Sequence, residues 1–210
     1  MERWGDMPRS RTDRVTTTRP GLVVHPVTPG RWKDLEQLFG PNGAYSNCWC
    51  MWWRMASKDF DRAPGSAKRA DLRHLVDRRR TPGLLAYLEG QPVGWVSVAP
   101  REQFGRLERS PTLKRVDDRP VWSIVCFFIH RRHRRGGVAT ALLRAAVDHA
   151  SRNGATLVEA YPVGNDQRRP SAELYTGIVP MFEAAGFREV ARRGARSIMR
   201  RSVRSRRDKR

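Results

Sequence analysis

One stretch, WSIVCFFIHRRHRRGGVATALLRAAVDHA from Trp122 to Ala150, constrains what this chain can fold into more than any other. With Val121 before it, Val121 to Ile129 is an apolar run rich in β-branched and aromatic side chains, the composition of a buried strand. Arg131 to Arg135, four arginines around His133, lead into two adjacent glycines, Gly136 and Gly137. From Ala139 the apolar residues recur at helical spacing, so that Ala139, Leu142, Leu143, Ala146, Val147 and Ala150 share one face. Arg144, Asp148 and Arg152 lie four apart on the opposite face. The order is strand, basic glycine turn, helix. Unpaired backbone N–H groups, the positive end of a helix dipole and side-chain cations then converge on one spot, which makes an anion cradle.

The glycine spacing excludes two common phosphate loops. G-x-x-x-x-G-K-[ST] fails because no Lys follows these glycines, and G-x-G-x-x-G fails because the pair is adjacent and has no third member. The pattern that fits is R-x-x-G-x-A at Arg134, Gly137 and Ala139, directly after a strand ending Phe127-Phe128-Ile129. This resembles the pyrophosphate-binding motif of the GNAT superfamily, the Gcn5-related N-acetyltransferases. A second stretch in the expected order, MFEAAGFREV from Met181, is similar to the helix-ending lYekxGF of that family. The elements CWCMWW, SVAPR and YTGIVPMFEAAGF resemble those of a distinct bacterial subgroup.

The resemblance spans Leu22 to Arg200 and implies the GNAT acyl-CoA N-acyltransferase fold. That is an α/β architecture with a central, mostly antiparallel mixed sheet, splayed between its fourth and fifth strands and flanked by about four helices. It implies acetyl-CoA as cosubstrate, no metal, and an amine acceptor that is a small molecule or a protein, attacked directly. The CoA pyrophosphate would be held by Arg134, Arg135, Gly136, Gly137, Val138, Ala139 and Thr140, and the pantetheine arm would pair with the backbone of Phe127, Phe128 and Ile129.

At 210 residues and 39% hydrophobic, the chain suits one domain with a sizeable core. We expect it over 20–200, between an N-terminal tail, 1–19, and a basic C-terminal tail, 201–210. A net charge of +20 invites a nucleic-acid reading. Only five of the 41 basic residues are Lys, however, and the arginines are spread along the whole chain. An Arg excess of that kind also follows from a GC-rich genome, so nucleic acid is not the expected partner. Three cysteines make no disulfide scaffold and suit reduced thiols in a cytoplasmic protein, a monomer or a homodimer. No apolar run approaches the ~18 residues of a membrane span.

The remaining elements are read from periodicity and breakers. Leu22 to Val27 is a first strand, with Thr28 as a cap and Pro29 opening a helix through Trp32 to Phe39. The aromatic and sulfur-rich insert AYSNCWCMWWRM follows. Pro64 to Arg80 reads as a helix, and Gly83 to Leu88 and Val93 to Val98 as strands joined by EGQP. A polar arm from Pro100 to Pro120 is anchored by Phe104 and Leu107. Beyond the central helix, Asn153-Gly154 is a stop and Ala155 to Tyr161 a fifth strand. The loop GNDQRRPSAE precedes a helix broken at Gly177 and Pro180, and two last strands flank Gly194.

Acyl transfer to an amine needs a neutral nucleophile, a polarised carbonyl and a protonated leaving thiolate. Deprotonating a Lys-type amine at neutral pH costs about 4–5 kcal/mol, an α-amine only about 1. Glu159, in the fifth strand beside the splay, is the candidate base; the alternative is a carboxylate paired with an arginine. The family's acid Tyr falls at Phe182, which has no proton to give. Tyr175 stands where the family often has Asn, and is the candidate substitute or a packing residue. Phe182 also raises the possibility of a CoA-binding regulator without turnover, and the arginines that of a nucleic-acid binder on the same scaffold. Trp49, Trp52 and Trp53 would line the acceptor side, or pack as core. Cys48 and Cys50 lack the second ligand pair of a zinc site. Cys126 reads as buried packing, and His130 and His133 as solvated neighbours of the cradle.

Overall fold

The structure is a computed structural model that describes residues 15–16, 20–78, 80–163 and 174–204. In chain order it comprises β1 (Leu22–Pro26), a 3-10 turn at Pro29–Arg31, α1 (Trp32–Phe39), α2 (Ser57–Arg62), α3 (Gly65–Asp77), β2 (Gly83–Leu88) and β3 (Gln91–Pro100). Then follow α4 (Gly105–Arg109), β4 (Trp122–Ile129), α5 (Val138–Arg152), β5 (Leu157–Ala160), α6 (Val179–Glu183), β6 (Arg188–Arg193) and β7 (Arg196–Ser202). One sheet runs β1-β2-β3-β4-β5-β7-β6, and Val15–Thr16 adds a short eighth strand beside β1. All neighbours are antiparallel except β4 and β5, which are parallel.

Local chemistry sets these boundaries. Glu89 (φ 50°) and Gly90 (φ 77°) are both left-handed, the requirement of a two-residue hairpin whose twist matches its strands. β3 therefore begins at Gln91 rather than after a four-residue turn. Pro29 opens a 3-10 turn, as its fixed φ allows, but the Thr28 side chain makes no cap hydrogen bond. Pro64 caps α3, and the chain before it forms an extra helix, α2, which has no buried face to betray it in the sequence. The arm is anchored as expected, with Phe104 and Leu107 fully buried.

Three clusters make the core. The apolar face of α5, including Leu142, Leu143, Ala146 and Val147, packs on Val24, Leu84, Val96, Ile124 and Val158. On the other sheet face, Leu35, Leu38 and Phe39 of α1 and Leu72 and Val76 of α3 enclose Trp49 and Cys50 against Leu85, Tyr87 and Trp95. A third cluster beneath the arm joins Trp53, Phe104, Leu107, Leu113, Val125, Tyr161 and Ile198.

The structure departs from the sequence reading at both ends. Val15 and Thr16 are sheet rather than tail, and β7 continues through Arg201 to Ser202 because it pairs with β5, Leu157 opposite Ser202. Six α-helices flank the sheet instead of about four, the short α2 and α4 having no helical periodicity to read. The loop 164–173 lies outside the described residues.

Candidate active site

β4 and β5 meet over three residue pairs only: Trp122 with Val158, Ser123 with Glu159, and Ile124 with Ala160. Past that point they part. β4 runs on to Ile129 beside β3, while the other chain turns through Tyr161 and Pro162 to Val163, which bridges Ile178 and Arg196 instead. A fork opens in the sheet where a parallel pair would otherwise continue. At its root the β3–β4 register slips: Ser97 lies opposite Cys126 and Val98 opposite Ile124, so Val125 is an extra, bulged residue. The bulge shifts the facing of the strand. Phe127 and Ile129 turn toward the α5 side, while Cys126 and Phe128 lie on the side of α1 and the insert.

The cradle lies at the far end of the same strand. His130 leads into a 3-10 turn, Arg131–His133, and the chain then reverses through Arg135 (φ 61°) and Gly137 (φ 78°) into α5. No side chain caps α5, so the N–H groups of Val138, Ala139 and Thr140 have no acceptor within their own helix. A Cβ built on Gly137 would meet nothing within 4 Å and would occupy the open space these donors face. Arg131, Arg132, Arg134 and Arg135 are exposed around it, and the Arg134 Nε folds back to donate to the Ile129 carbonyl at 3.2 Å. Burial first, then the cations His133, Arg132, Arg131 and Arg134, hold His130 below the usual histidine range. Donors, dipole and cations thus converge on a space lined by backbone, which fits a pyrophosphate.

Glu159 sits at the root of the fork, 1% exposed. The sheet register sets it between Ser123 of β4 and Arg200 of β7. Its Oε1 accepts from Arg101 Nη1 at 2.7 Å and from the Tyr161 hydroxyl at 2.6 Å, and its Oε2 accepts from Arg200 Nε at 2.6 Å. Arg101, itself fully buried, also bonds Glu108 and the Leu107 and Leu113 carbonyls, and Arg200 reaches on to Asp117. Tyr161 completes the lattice through Ser123 at 2.8 Å. A carboxylate engaged in this way matches the arginine-paired alternative: both oxygens are already occupied by charged donors, and the residue ties the arm to the sheet. Arg101 and Arg200 escaped the sequence reading, since in a chain with so many arginines nothing marks two of them as buried.

Tyr175 lies in a 3-10 turn, Leu174–Thr176, packed against β4 with its ring 6.4 Å from Trp53. Burial raises its hydroxyl above the ordinary tyrosine range, which keeps it protonated. Phe182 is sealed edge-on between Phe127 and Phe187 and is core. The three tryptophans of the insert separate. Trp49 is core, stacked on Trp32 and edge-on to Phe39. Trp53 is buried in the third cluster, and its indole N–H has no hydrogen-bond partner among the described residues. Trp52, 37% exposed, lies beneath the Arg106 guanidinium at 3.7 Å and against Phe60. Trp49 is therefore too deep to line an acceptor site, whereas Trp52 and Trp53 flank the arm. Cys50 takes the Trp95 indole N–H at 3.1 Å, and Cys126 packs against the same cluster.

The sequence profile of the acetyltransferase (GNAT) family matches residues 48–177. The chain belongs to that family. The match runs from the insert through the fork and the cradle to the turn carrying Tyr175. A GNAT-family acetyltransferase from Streptococcus agalactiae superposes with a TM-score of 0.53 over 88% of this chain and 96% of its own, at 10% identity. PH1933 from Pyrococcus horikoshii OT3 does so with 0.50 over 87% and 98%, at 11% identity. At such identities the likeness is one of fold. A comparison with curated protein sequences finds no match. Membership sets the chain among acyl-CoA-dependent N-acyltransferases. Among the described residues no group of His, Cys, Asp and Glu is arranged to hold a metal, and no helix is long and apolar enough to cross a membrane.

Proposed function

We propose that the protein transfers the acetyl group of acetyl-CoA to an amine by direct attack at the fork between β4 and β5. The observation that carries this reading is the continuity of one strand: the fork at Val125–Ile129 ends at the cradle before α5. A ligand with a pyrophosphate at one end and a thioester at the other would lie along it. The pyrophosphate would take the N–H groups of Val138, Ala139 and Thr140, with Arg134 and Arg135 adding charge. The pantetheine amides would pair with the backbone of Phe127, Phe128 and Ile129, on the edge that β5 leaves uncovered. In the reaction the amine nitrogen bonds to the thioester carbon, the carbon–sulfur bond breaks, the nitrogen gives up one N–H proton to solvent, and the departing CoA thiolate takes a proton. Tyr175, protonated and packed on β4, is the proposed donor of that proton. Trp52 and Trp53 would form the wall on the acceptor side.

The experiment is release of free CoA thiol from acetyl-CoA with a panel of simple amines: an alkylamine, amino-acid α-amines and arylamines. Thiol release that depends on the amine, with the acetylated product found by mass spectrometry, is the expected result. Saturable acetyl-CoA binding with no transfer to any amine would instead identify a CoA-responsive regulator.

A further inference from the structure

The buried cations Arg101 and Arg200 come with their carboxylates: Arg101 with Glu108 and Glu159, Arg200 with Glu159 and Asp117. Three cations on the side of the insert come with none. Arg54 donates to the backbone and side-chain oxygens of Gln103 and to the Pro82 carbonyl, and lies 4.5 Å over the Phe104 ring. Lys68 of α3 is 6% exposed, and its ammonium stands 3.7 Å over the Phe60 ring. Arg106 of α4 donates to the Trp52 carbonyl at 2.6 Å and to Ser57 Oγ at 2.9 Å, and lies 3.7 Å over the Trp52 ring. Among the described residues none of these three forms an ion pair.

Printed contact by contact, the three belong to one wall. Trp52 meets Phe60 edge-on at 5.1 Å, so Arg106, Trp52, Phe60 and Lys68 follow one another in contact. The Arg106 backbone N–H donates to the Trp53 carbonyl at 3.1 Å. The Trp53 ring lies 6.4 Å from Tyr175 and shares a cluster with Phe104, under Arg54, and with Val125 and Cys126 at the fork. The wall is as short of hydrogen-bond acceptors as it is of negative charge. Trp53 Nε1, Arg54 Nε and Arg106 Nη2 are closed off with no partner among the described residues. The bordering α2 supplies Asp59 and Asp61, but both are exposed, and the exposed Lys58 and Arg62 match them in number. Burial lowers Arg54 to about 10 and Arg106 below the usual arginine range, which leaves both charged at neutral pH.

We propose that the acceptor is an amine that also carries an oxyanion, a carboxylate or a phosphate, and that Arg106 binds it. This rests on the transfer reading above. Cations held in a partly buried wall without counterions are costly, and an oxyanion both relieves that cost and brings the acceptor oxygens the wall lacks. Of the three cations, Arg106 is the one a ligand meets. It is partly exposed and lies against Trp52, the exposed tryptophan of the insert, whereas Lys68 is buried and Arg54 is spent on Gln103 and Pro82. The Trp52 carbonyl and Ser57 brace its guanidinium, and a braced planar fork is suited to two oxygens of one anion. Arg54 and Lys68 strengthen the attraction through the positive field they add. The oxyanion would sit about one tryptophan side chain from the fork, so a short chain between it and the amine lets the nitrogen reach the thioester.

The test is thiol release from saturating acetyl-CoA with matched amines on the full chain: propylamine against γ-aminobutyrate and aminopropyl phosphate, and glycinamide against glycine. The expected result is a kcat/KM at least about tenfold higher for an anionic amine than for its neutral match. The carboxylate and phosphate arms tell which oxyanion is taken. The preference should narrow as salt is raised, because screening weakens the attraction. It should fall at least about tenfold in Arg106→Met, with acetyl-CoA affinity by calorimetry unchanged, and survive in part in Arg106→Lys, which keeps the charge but loses the fork. The comparison on the wild type needs no variant to fold. Neutral amines used as well as their anionic matches, or an undiminished preference in a folded Arg106→Met, overturn the oxyanion site. If no amine is acetylated, calorimetry of γ-aminobutyrate and of propylamine on the CoA-loaded chain separates the two readings. Binding of γ-aminobutyrate alone, lost in Arg106→Met, overturns transfer and keeps the site; binding of neither overturns both.

Discussion

Removing the charge of Glu159 would leave the guanidiniums of Arg101 and Arg200 buried and facing a neutral amide. Taking one partner out of a buried pair is costly because the remaining charge stays desolvated. Glu159→Gln should therefore lower unfolding stability by about 3–5 kcal/mol, measured by denaturant titration. A general base would behave differently: the variant would stay as stable as the wild type, and turnover would fall about 10²–10⁴-fold. The tryptophans of the insert divide in the same way. Trp49→Ala opens a cavity between α1 and the sheet and should cost about 3–5 kcal/mol. Trp52→Ala, losing one half-exposed ring under Arg106, should cost less than about 1.5 kcal/mol, while raising the acceptor KM if Trp52 lines the acceptor side. Equal losses of stability in the two variants would make Trp52 core as well.

Among the elements, the arm between β3 and β4 is held to the sheet by ions as well as by the buried Phe104, Leu107 and Leu113. Asp117 accepts from Arg200 at 2.7 Å and from Arg119 at 3.0 Å, and Arg200 leads to Glu159. Those hydrogen bonds, Arg200 first, hold the Asp117 carboxyl well below the usual carboxylate range. A folded-state value below the unfolded one stabilises the fold at pH above about 3.9, and that contribution is lost as pH falls further. The thermal midpoint of the wild type should thus exceed that of Asp117→Asn at pH 7, by a margin that narrows as pH falls from about 4 toward 2. A gap that persists at low pH would mean that Asp117 acts by shape rather than by charge. The elements differ in how plainly the sequence announces them. α5 and β4 are legible because each has one apolar face or run closed by glycines. The left-handed turns of residues 43–50 are not, because beside Gly43 and Asn47 the residues Ala44, Ser46, Trp49 and Cys50 occupy positions that glycine or asparagine would normally mark. Their geometry comes from Trp49 and Cys50 being drawn into the core, which is a tertiary effect.

Across the whole molecule, the order of the main elements and the turn before α5 were legible, since they rest on local periodicity and a glycine turn, while the fork was implied only by the family resemblance. What was not legible is the lattice of Arg101, Glu108, Glu159, Tyr161 and Arg200, whose members come from the end of β3, from α4, from β5 and its exit, and from β7. Only the sheet register brings them together. Whether the turn before α5 holds the pyrophosphate of acetyl-CoA is decided by calorimetry of acetyl-CoA binding to the wild type and to Gly137→Asp and Gly137→Asn. Asn tolerates the left-handed φ of 78° and adds only a neutral side chain, whereas Asp adds a negative charge to the open space the helix donors face. With thermal unfolding showing both variants folded, the expected result is saturable wild-type binding, weaker binding in Gly137→Asn, and at least a tenfold loss (about 1.4 kcal/mol) in Gly137→Asp. Unchanged acetyl-CoA affinity in a folded Gly137→Asp would contradict it.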